Sequence, residues 1–133
     1  MIVVDTNIIA YFFIPGENTQ LAKTLLKKDS KWVSPILWRS EFRNILALYI
    51  RKNYLSLSEA KLLIEEAERL MSGSEFHINS NKVLDLANRS QCSAYDCEFV
   101  ALAMDLNLPL ITSDKQLIRE FPEIVFPLKY YIG

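Results

Sequence analysis

The chain opens MIVVDTNIIAYFF (residues 1–13), and its first five residues decide how the rest is read. Met1-Ile-Val-Val-Asp5 is a short β-branched apolar run of the kind that forms a strand buried on both faces. Strands of that type belong to parallel sheets with helices on either side. The run ends on Asp5-Thr6-Asn7. Asp5 is therefore either a local turn-former or helix cap, or a carboxylate held at a strand end for chemistry.

Downstream, apolar runs at 31–33, 75–78, 110–112 and 124–126 read as four more short strands. Helical periodicity fills the intervals. Asn18 caps a helix carrying Leu21, Ala22, Leu25 and Leu26, with Lys27 and Lys28 at its end. Ser34-Pro35 has the form of a helix start, opening an element over 35–49 that contains Glu41. Ser56-Leu-Ser-Glu59 has capping-box form, and the helix after it places Ala60, Leu63, Ile64, Ala67, Leu70 and Met71 on one face before Gly73. Further helices are expected over 80–89, after Ser93 up to the break at 107–109, and over 115–121, leaving 130–133 as a tail. Strands alternating with helices predict an α/β fold built on a parallel sheet. No linker or repeat divides the chain, so one domain over 1–133 is expected.

Composition narrows the function. The 133 residues are half hydrophobic and 23% charged, which argues for a packed core rather than disorder. Asp5 interrupts the N-terminal apolar run too early for a signal peptide, and no stretch approaches the roughly 20 apolar residues of a membrane span, so a soluble, cytoplasmic protein is expected. Cys92 and Cys97 read as reduced, packed thiols rather than a disulfide framework or a zinc site. A formal charge of −1 supplies no global attraction for nucleic acid, which must then rest on local features.

In an open parallel sheet, ligands bind beyond the carboxyl ends of the strands. Asp5 ends the first strand, Thr112-Ser113-Asp114 follows the fourth, and Asp96 stands in the first turn of the helix that feeds the fourth. All three fall on one rim. Glu41 lies among Trp38, Phe42, Ile45 and Leu46 on the helix after strand two. Each acid has a plain structural alternative: a turn or cap for Asp5, a dipole partner for Asp96, an N-cap for Asp114, a solvated helix residue for Glu41. Together they are harder to dismiss. Two carboxylates about 4 Å apart repel by about 4 kcal/mol at an effective dielectric near 20, so several would protonate or draw in a cation. An oxygen-only donor set with no usable histidine or thiol selects Mg²⁺ or Mn²⁺. His77, in a predicted strand, reads as structural.

The segments V-D-T-N at 4–7, S-E-F-R-N at 40–44 and S-A-Y-D-C-E-F-V-A-L-A-M-D-L-N-L-P-L-I-T-S-D-K-Q-L at 93–117 resemble the PIN domain family, and within it the VapC toxins of bacterial and archaeal toxin–antitoxin pairs. The resemblance spans essentially the whole chain. It implies a three-layer fold with a five-stranded parallel sheet of order 3-2-1-4-5, Mg²⁺- or Mn²⁺-dependent endoribonuclease activity, a homodimer, and a cognate VapB-type antitoxin that blocks the site. Carried over by motif, Asp5, Glu41, Asp96 and Asp114 are the catalytic acids. Asp5, Asp96 and Asp114 hold the metal, and Glu41 is a ligand or a base. Thr6, Asn7, Thr112 and Ser113 are the supporting positions. Glu98 is expected to point away from Asp96. Arg39, Arg43, Arg51, Lys52 and Lys115 are candidates for RNA contact, or simply a solvated basic face. Trp38, Tyr49, Tyr54 and Leu55 could present an apolar groove to a second copy or to an amphipathic antitoxin helix.

Two rival readings stand beside this one. A phosphotransfer protein of similar architecture wants a second aspartate two positions after the first, where this chain has Asn7, or an aspartate ending strand three, where it has Ile78-Asn79. A non-catalytic domain that binds RNA or a partner through the same fold would keep the acids yet cleave nothing.

Overall fold

The computed structural model describes all 133 residues. In chain order the elements are β1 (Ile2–Val4), α1 (Thr6–Phe13), α2 (Thr19–Lys28), β2 (Trp32–Pro35), α3 (Trp38–Arg51), α4 (Leu57–Met71), β3 (Glu75–Phe76), α5 (Ser80–Asn88), α6 (Ala94–Leu106), β4 (Leu110–Thr112), α7 (Lys115–Glu120), β5 (Val125–Pro127) and α8 (Leu128–Ile132). The five strands form one sheet in the order β3-β2-β1-β4-β5, and every neighbouring pair is parallel. This is the expected order and class. No helix is long and apolar enough to cross a membrane.

Burial explains the strand composition. All residues of β1 and β4 are buried, as parallel strands between two helical layers must be. Val3 is paired with Val33 on one side and Leu110 on the other. α6 is apolar nearly all round, with Cys97, Phe99, Val100, Ala101, Leu102 and Ala103 buried, so it is a core helix rather than a surface one. Its end is set by Asn107 in the left-handed region at φ 54°, which caps the carbonyls of Ala103 and Met104. α4 instead shows one buried stripe, Ala60, Ala67 and Met71, behind a complete Ser56–Glu59 capping box. Gly73 follows it at φ 76°, a conformation that glycine adopts without strain.

The structure corrects several local expectations. Thr6–Phe13 is a helix, α1, although its unbroken apolar run gave no helical period to detect. Asn18 precedes α2 but makes no side-chain cap. Thr19 ties that turn instead, accepting from Gly16 N–H at 2.9 Å and donating to the Ile14 carbonyl at 3.2 Å. Residues 130–133 are no loose tail, because α8 runs from Leu128 to Ile132 with Leu128 buried. His77 and Ile78 lie just past β3.

Ser34-Pro35 ends β2 rather than opening α3, which starts at Trp38. The parallel ladder explains why. Ile2 N–H donates to the Lys31 carbonyl, so the alternation would next pair the Val4 carbonyl with the N–H of residue 35, which proline lacks. The Ser34 hydroxyl fills the gap, donating to the Val4 carbonyl at 2.6 Å from a fully buried position. Ser34→Ala should then lower the free energy of unfolding by about 1–2 kcal/mol in a denaturant melt, because it orphans a buried acceptor. An unchanged melt would show that the sheet does not depend on this substitute rung.

Candidate active site

Asp5 sits one residue past β1 and is almost wholly buried, with 6% of its surface exposed. Its N–H donates to the Ile111 carbonyl of β4 at 3.1 Å, which fixes the backbone. Oδ1 accepts from Thr6 N–H at 2.7 Å, and Oδ2 accepts from the Thr112 hydroxyl at 2.7 Å. Asp5 is thus the cap of α1, and it is also tied to the neighbouring strand. Burial pushes its pKa up to about 7; the bond from Thr112 opposes this, the Glu41 charge adds to the rise, the Thr6 N–H opposes it, and the Asp96 charge adds a little more.

The other three acids arrive by separate routes. Glu41, in the first turn of α3, accepts from the Thr6 hydroxyl at 2.6 Å. Burial raises its pKa, against that bond, and the charges of Asp96 and Glu98 raise it further. Asp114 caps α7, its Oδ1 accepting from Gln116 N–H at 2.8 Å and Leu117 N–H at 3.1 Å. Its own N–H donates to the Thr112 hydroxyl at 3.0 Å, so Thr112 links Asp114 to Asp5. Asp96 is placed by Ser93, whose hydroxyl accepts from Asp96 N–H at 3.1 Å. Burial raises the Asp96 pKa, as does the charge of Asp114, against the Ser93 bond.

The four carboxylates border one cavity of about 250 Å³ with Thr6, Asn7, Asn44 and Ile45, and no lysine, arginine or histidine lines it. Their charge is therefore unopposed by the chain. As they stand, no three His, Cys, Asp or Glu side chains are gathered into a ready-made ligand cage. The donor set is nevertheless carboxylate oxygen alone, which suits a hard divalent cation and not zinc.

Other predicted positions scatter. Thr6, Asn7 and Thr112 stand at the site, whereas Ser113 is exposed and outside the cavity lining. Arg39 is engaged elsewhere: its guanidinium forks onto Glu75, with Nη2 at 2.8 Å from Oε1, and reaches Glu68 at 3.4 Å. That pairing ties α3 and α4 to the sheet edge, so Arg39 serves there as a brace. Arg43, Arg51, Lys52 and Lys115 are exposed but none lines the cavity. Trp38 is fully buried and donates to Glu75 at 2.8 Å, so it belongs to the core and not to a docking face. Glu98, expected to point away from Asp96, stands near enough to Glu41 for its charge to raise that residue's pKa. Asn44 was not anticipated; it lies one turn beyond Glu41 on the same helix face, and that i+3 spacing was the available signal.

A PIN domain family model matches residues 2–123. The chain belongs to the PIN domain family. It is 29% identical over 129 residues to Ribonuclease VapC3 of Pyrobaculum aerophilum, across 95% of this chain and 98% of that one. In fold it resembles FitAcB from Neisseria gonorrhoeae, at a TM-score of 0.77 and 19% identity over 98% of this chain and 99% of that one. A toxin-antitoxin complex from Klebsiella pneumoniae also matches, at a TM-score of 0.62 and 17% identity over 96% of this chain and 98% of that one. Within the PIN fold, the rim between β1 and β4 is where the acids of this chain meet.

The raised pKa values carry a stability signature. Below about pH 4 Asp5 is protonated in the folded and unfolded chains alike, and nothing is lost. Between there and about pH 7 the unfolded chain ionises while the folded chain keeps its proton, so stability falls as pH rises, by roughly 4 kcal/mol for a shift from 3.8 to about 7. Glu41 and Asp96 act in the same direction. Denaturant melts of the metal-free protein in chelator should therefore show stability declining from about pH 4.5 to 7.5, and Asp5→Asn should flatten much of the decline. An identical profile in Asp5→Asn would mean that Asp5 ionises freely.

Proposed function

We propose that this chain is a Mg²⁺- or Mn²⁺-dependent endoribonuclease of the VapC toxin type. The observation that carries this reading is the meeting of four carboxylates at one cavity to which the chain contributes no positive charge. Membership of the PIN domain family and the likeness to Ribonuclease VapC3 support nuclease chemistry.

Asp5, Asp96 and Asp114 would hold the cation. When bound, a hard divalent cation acidifies water and offsets the charge that develops on a phosphodiester undergoing in-line displacement. Thr112 and Thr6 N–H keep Asp5 from rotating away, and the α7 amides do the same for Asp114 while leaving its Oδ2 free of them. Glu41 keeps one oxygen on Thr6 and has the other available, and burial, which raises its pKa, makes it a more basic carboxylate than a solvated one. Asn7 and Asn44 offer neutral amides to sugar or phosphate oxygens beside the acids. Because the only charged groups lining the cavity are carboxylates, a phosphate meets repulsion there unless a cation is present. RNA attraction must come from the cation and from exposed cations such as Lys115 beside Asp114.

An antitoxin partner is the second part of the proposal, supported by the toxin-antitoxin complex from Klebsiella pneumoniae among the structural neighbours. A groove of about 550 Å³ lies between α1, α3 and α4, lined by Phe13, Tyr49, Tyr54, Leu55, Leu62 and Leu63 with Glu59 and Glu66 beside them. Tyr54 is 70% and Leu62 60% exposed, a costly arrangement for large apolar groups left uncovered. An amphipathic helix with apolar anchors and basic flanks suits it. A second copy of the chain could cover the same face.

Purified protein should cleave RNA with Mg²⁺ or Mn²⁺ and lose that activity in chelator. Asp5→Asn and Asp96→Asn should abolish cleavage, and Glu41→Gln should slow it roughly 100-fold or more. Equal cleavage by wild type and the aspartate variants would remove these acids from the reaction. A folded, metal-binding wild type that cleaves no RNA in a diverse pool would favour the non-catalytic reading. For the groove, Leu62→Glu should leave cleavage intact while abolishing neutralisation by an antitoxin encoded beside the chain; retained neutralisation would place the partner elsewhere.

A further inference from the structure

The connection between α5 and α6, residues 89–93, reaches the rim just before Asp96, and α7 grips it. Gln91 is held by both of its backbone groups: its N–H donates to Glu120 Oε1 at 2.6 Å, and its carbonyl accepts from Gln116 Nε2 at 3.3 Å. Gln116 and Glu120 are four residues apart and so share one face of the helix. The Arg89 guanidinium adds a third tie, 5.6 Å from the centroid of the Phe121 ring.

The same short helix holds Asp114. The Gln116 N–H that donates to Asp114 Oδ1 at 2.8 Å belongs to the residue whose side chain reaches Gln91. On the other side of the clamp, Ser93 follows Gln91 by two residues and its hydroxyl accepts from Asp96 N–H. A continuous path of bonded groups therefore runs from the Asp114 carboxylate through α7 and Gln91 to Asp96. No hydrogen bond joins Asp96 directly to Asp114, and their like charges favour separation. α6 is anchored in the core from Cys97 onward, and the connection held by α7 leads directly into the turn that carries Asp96 at the rim.

We infer that Gln116 and Glu120 are positioning residues that set the separation of Asp96 from Asp114, and through it the affinity of the acidic cavity for a divalent cation. This rests on the metal-dependent reading proposed above. Neither side chain lines the cavity, so neither is a ligand. Their effect is transmitted by the Gln91 peptide. A glutamate suits the Gln91 N–H because a charge-assisted bond is the stronger kind.

Direct Mn²⁺ titration of the full chain, followed by electron paramagnetic resonance, tests the inference without any need for turnover. Glu120→Ala and Gln116→Ala should each weaken Mn²⁺ binding roughly tenfold, the lower end for a residue that supports a metal ligand, while Glu120→Gln stays within about twofold of wild type. The glutamine variant separates geometry from electrostatics, because it removes the charge but keeps an oxygen for the Gln91 N–H. Melting in chelator is followed alongside. Wild-type Mn²⁺ affinity in both alanine variants overturns the inference, even if they melt earlier, since a mere brace would do that. Equal weakening in Glu120→Gln and Glu120→Ala also overturns it, because the lost charge alone would then be the cause. A folded wild type that binds no Mn²⁺ fails earlier, at the metal reading itself, and so is told apart from failure of the clamp.

Discussion

The rest of the structure is arranged around the burial of one carboxylate at the end of its central strand. Asp5 follows a strand whose residues are all buried, and it is nearly as buried itself. A carboxylate there is held by the Thr6 amide and the Thr112 hydroxyl, which favour its charged form, yet desolvation outweighs them and lifts its pKa to about 7. The fold tolerates a poorly compensated acid because β1 lies between β2 and β4 and cannot shift without unpairing both. Rigidity at that point is obtained at a cost in stability.

That constraint passes outward through hydroxyl groups. Thr112 bonds both Asp5 and the Asp114 backbone, and Thr6 bonds Glu41, so three of the four acids are coupled through two threonines. Asp96 is coupled only through the Ser93 cap and the connection before it. A cavity built this way has donors in place and no internal cation, which is the electrostatic condition under which an external one is drawn in. The apolar groove between α1, α3 and α4 lies apart from this cavity and shares no lining residue with it, though Glu59 and Glu66 give it negative charge as well.

Much of this was legible before any tertiary structure. Asp5, Asp96 and Asp114 could be picked out because each stands where an element ends or begins, and caps leave a local trace: Ser93 three residues before Asp96, Thr112-Ser113-Asp114 after an apolar run. The capping box at Ser56 and the break at 107–109 were equally local. What failed to show was whatever depends on a neighbour in space. Thr6–Phe13 is apolar from Ile8 onward and follows a strand without a break beyond Asp5, so its helix was masked by the run of apolar residues on either side of Asp5-Thr6-Asn7. Ser34-Pro35 looked like a helix start because its true partner, the Val4 carbonyl, is 30 residues away in sequence. Arg39 looked free because Glu75 lies 36 residues downstream.

The sequence by itself determined the class of the fold, through burial period and capping residues, and its V-D-T-N, S-E-F-R-N and 93–117 segments pointed to the family and to the four acids by resemblance, since all of these are properties of short segments. The tertiary structure alone decided that those acids share one cavity, which threonine serves which acid, which cations are already spent in ion pairs, and how strongly burial resists ionisation of Asp5. These are consequences of distance and desolvation. Both are set by the pairing of β1 with β4 and by the packing of α3 and α6 at the rim, and a linear pattern carries neither.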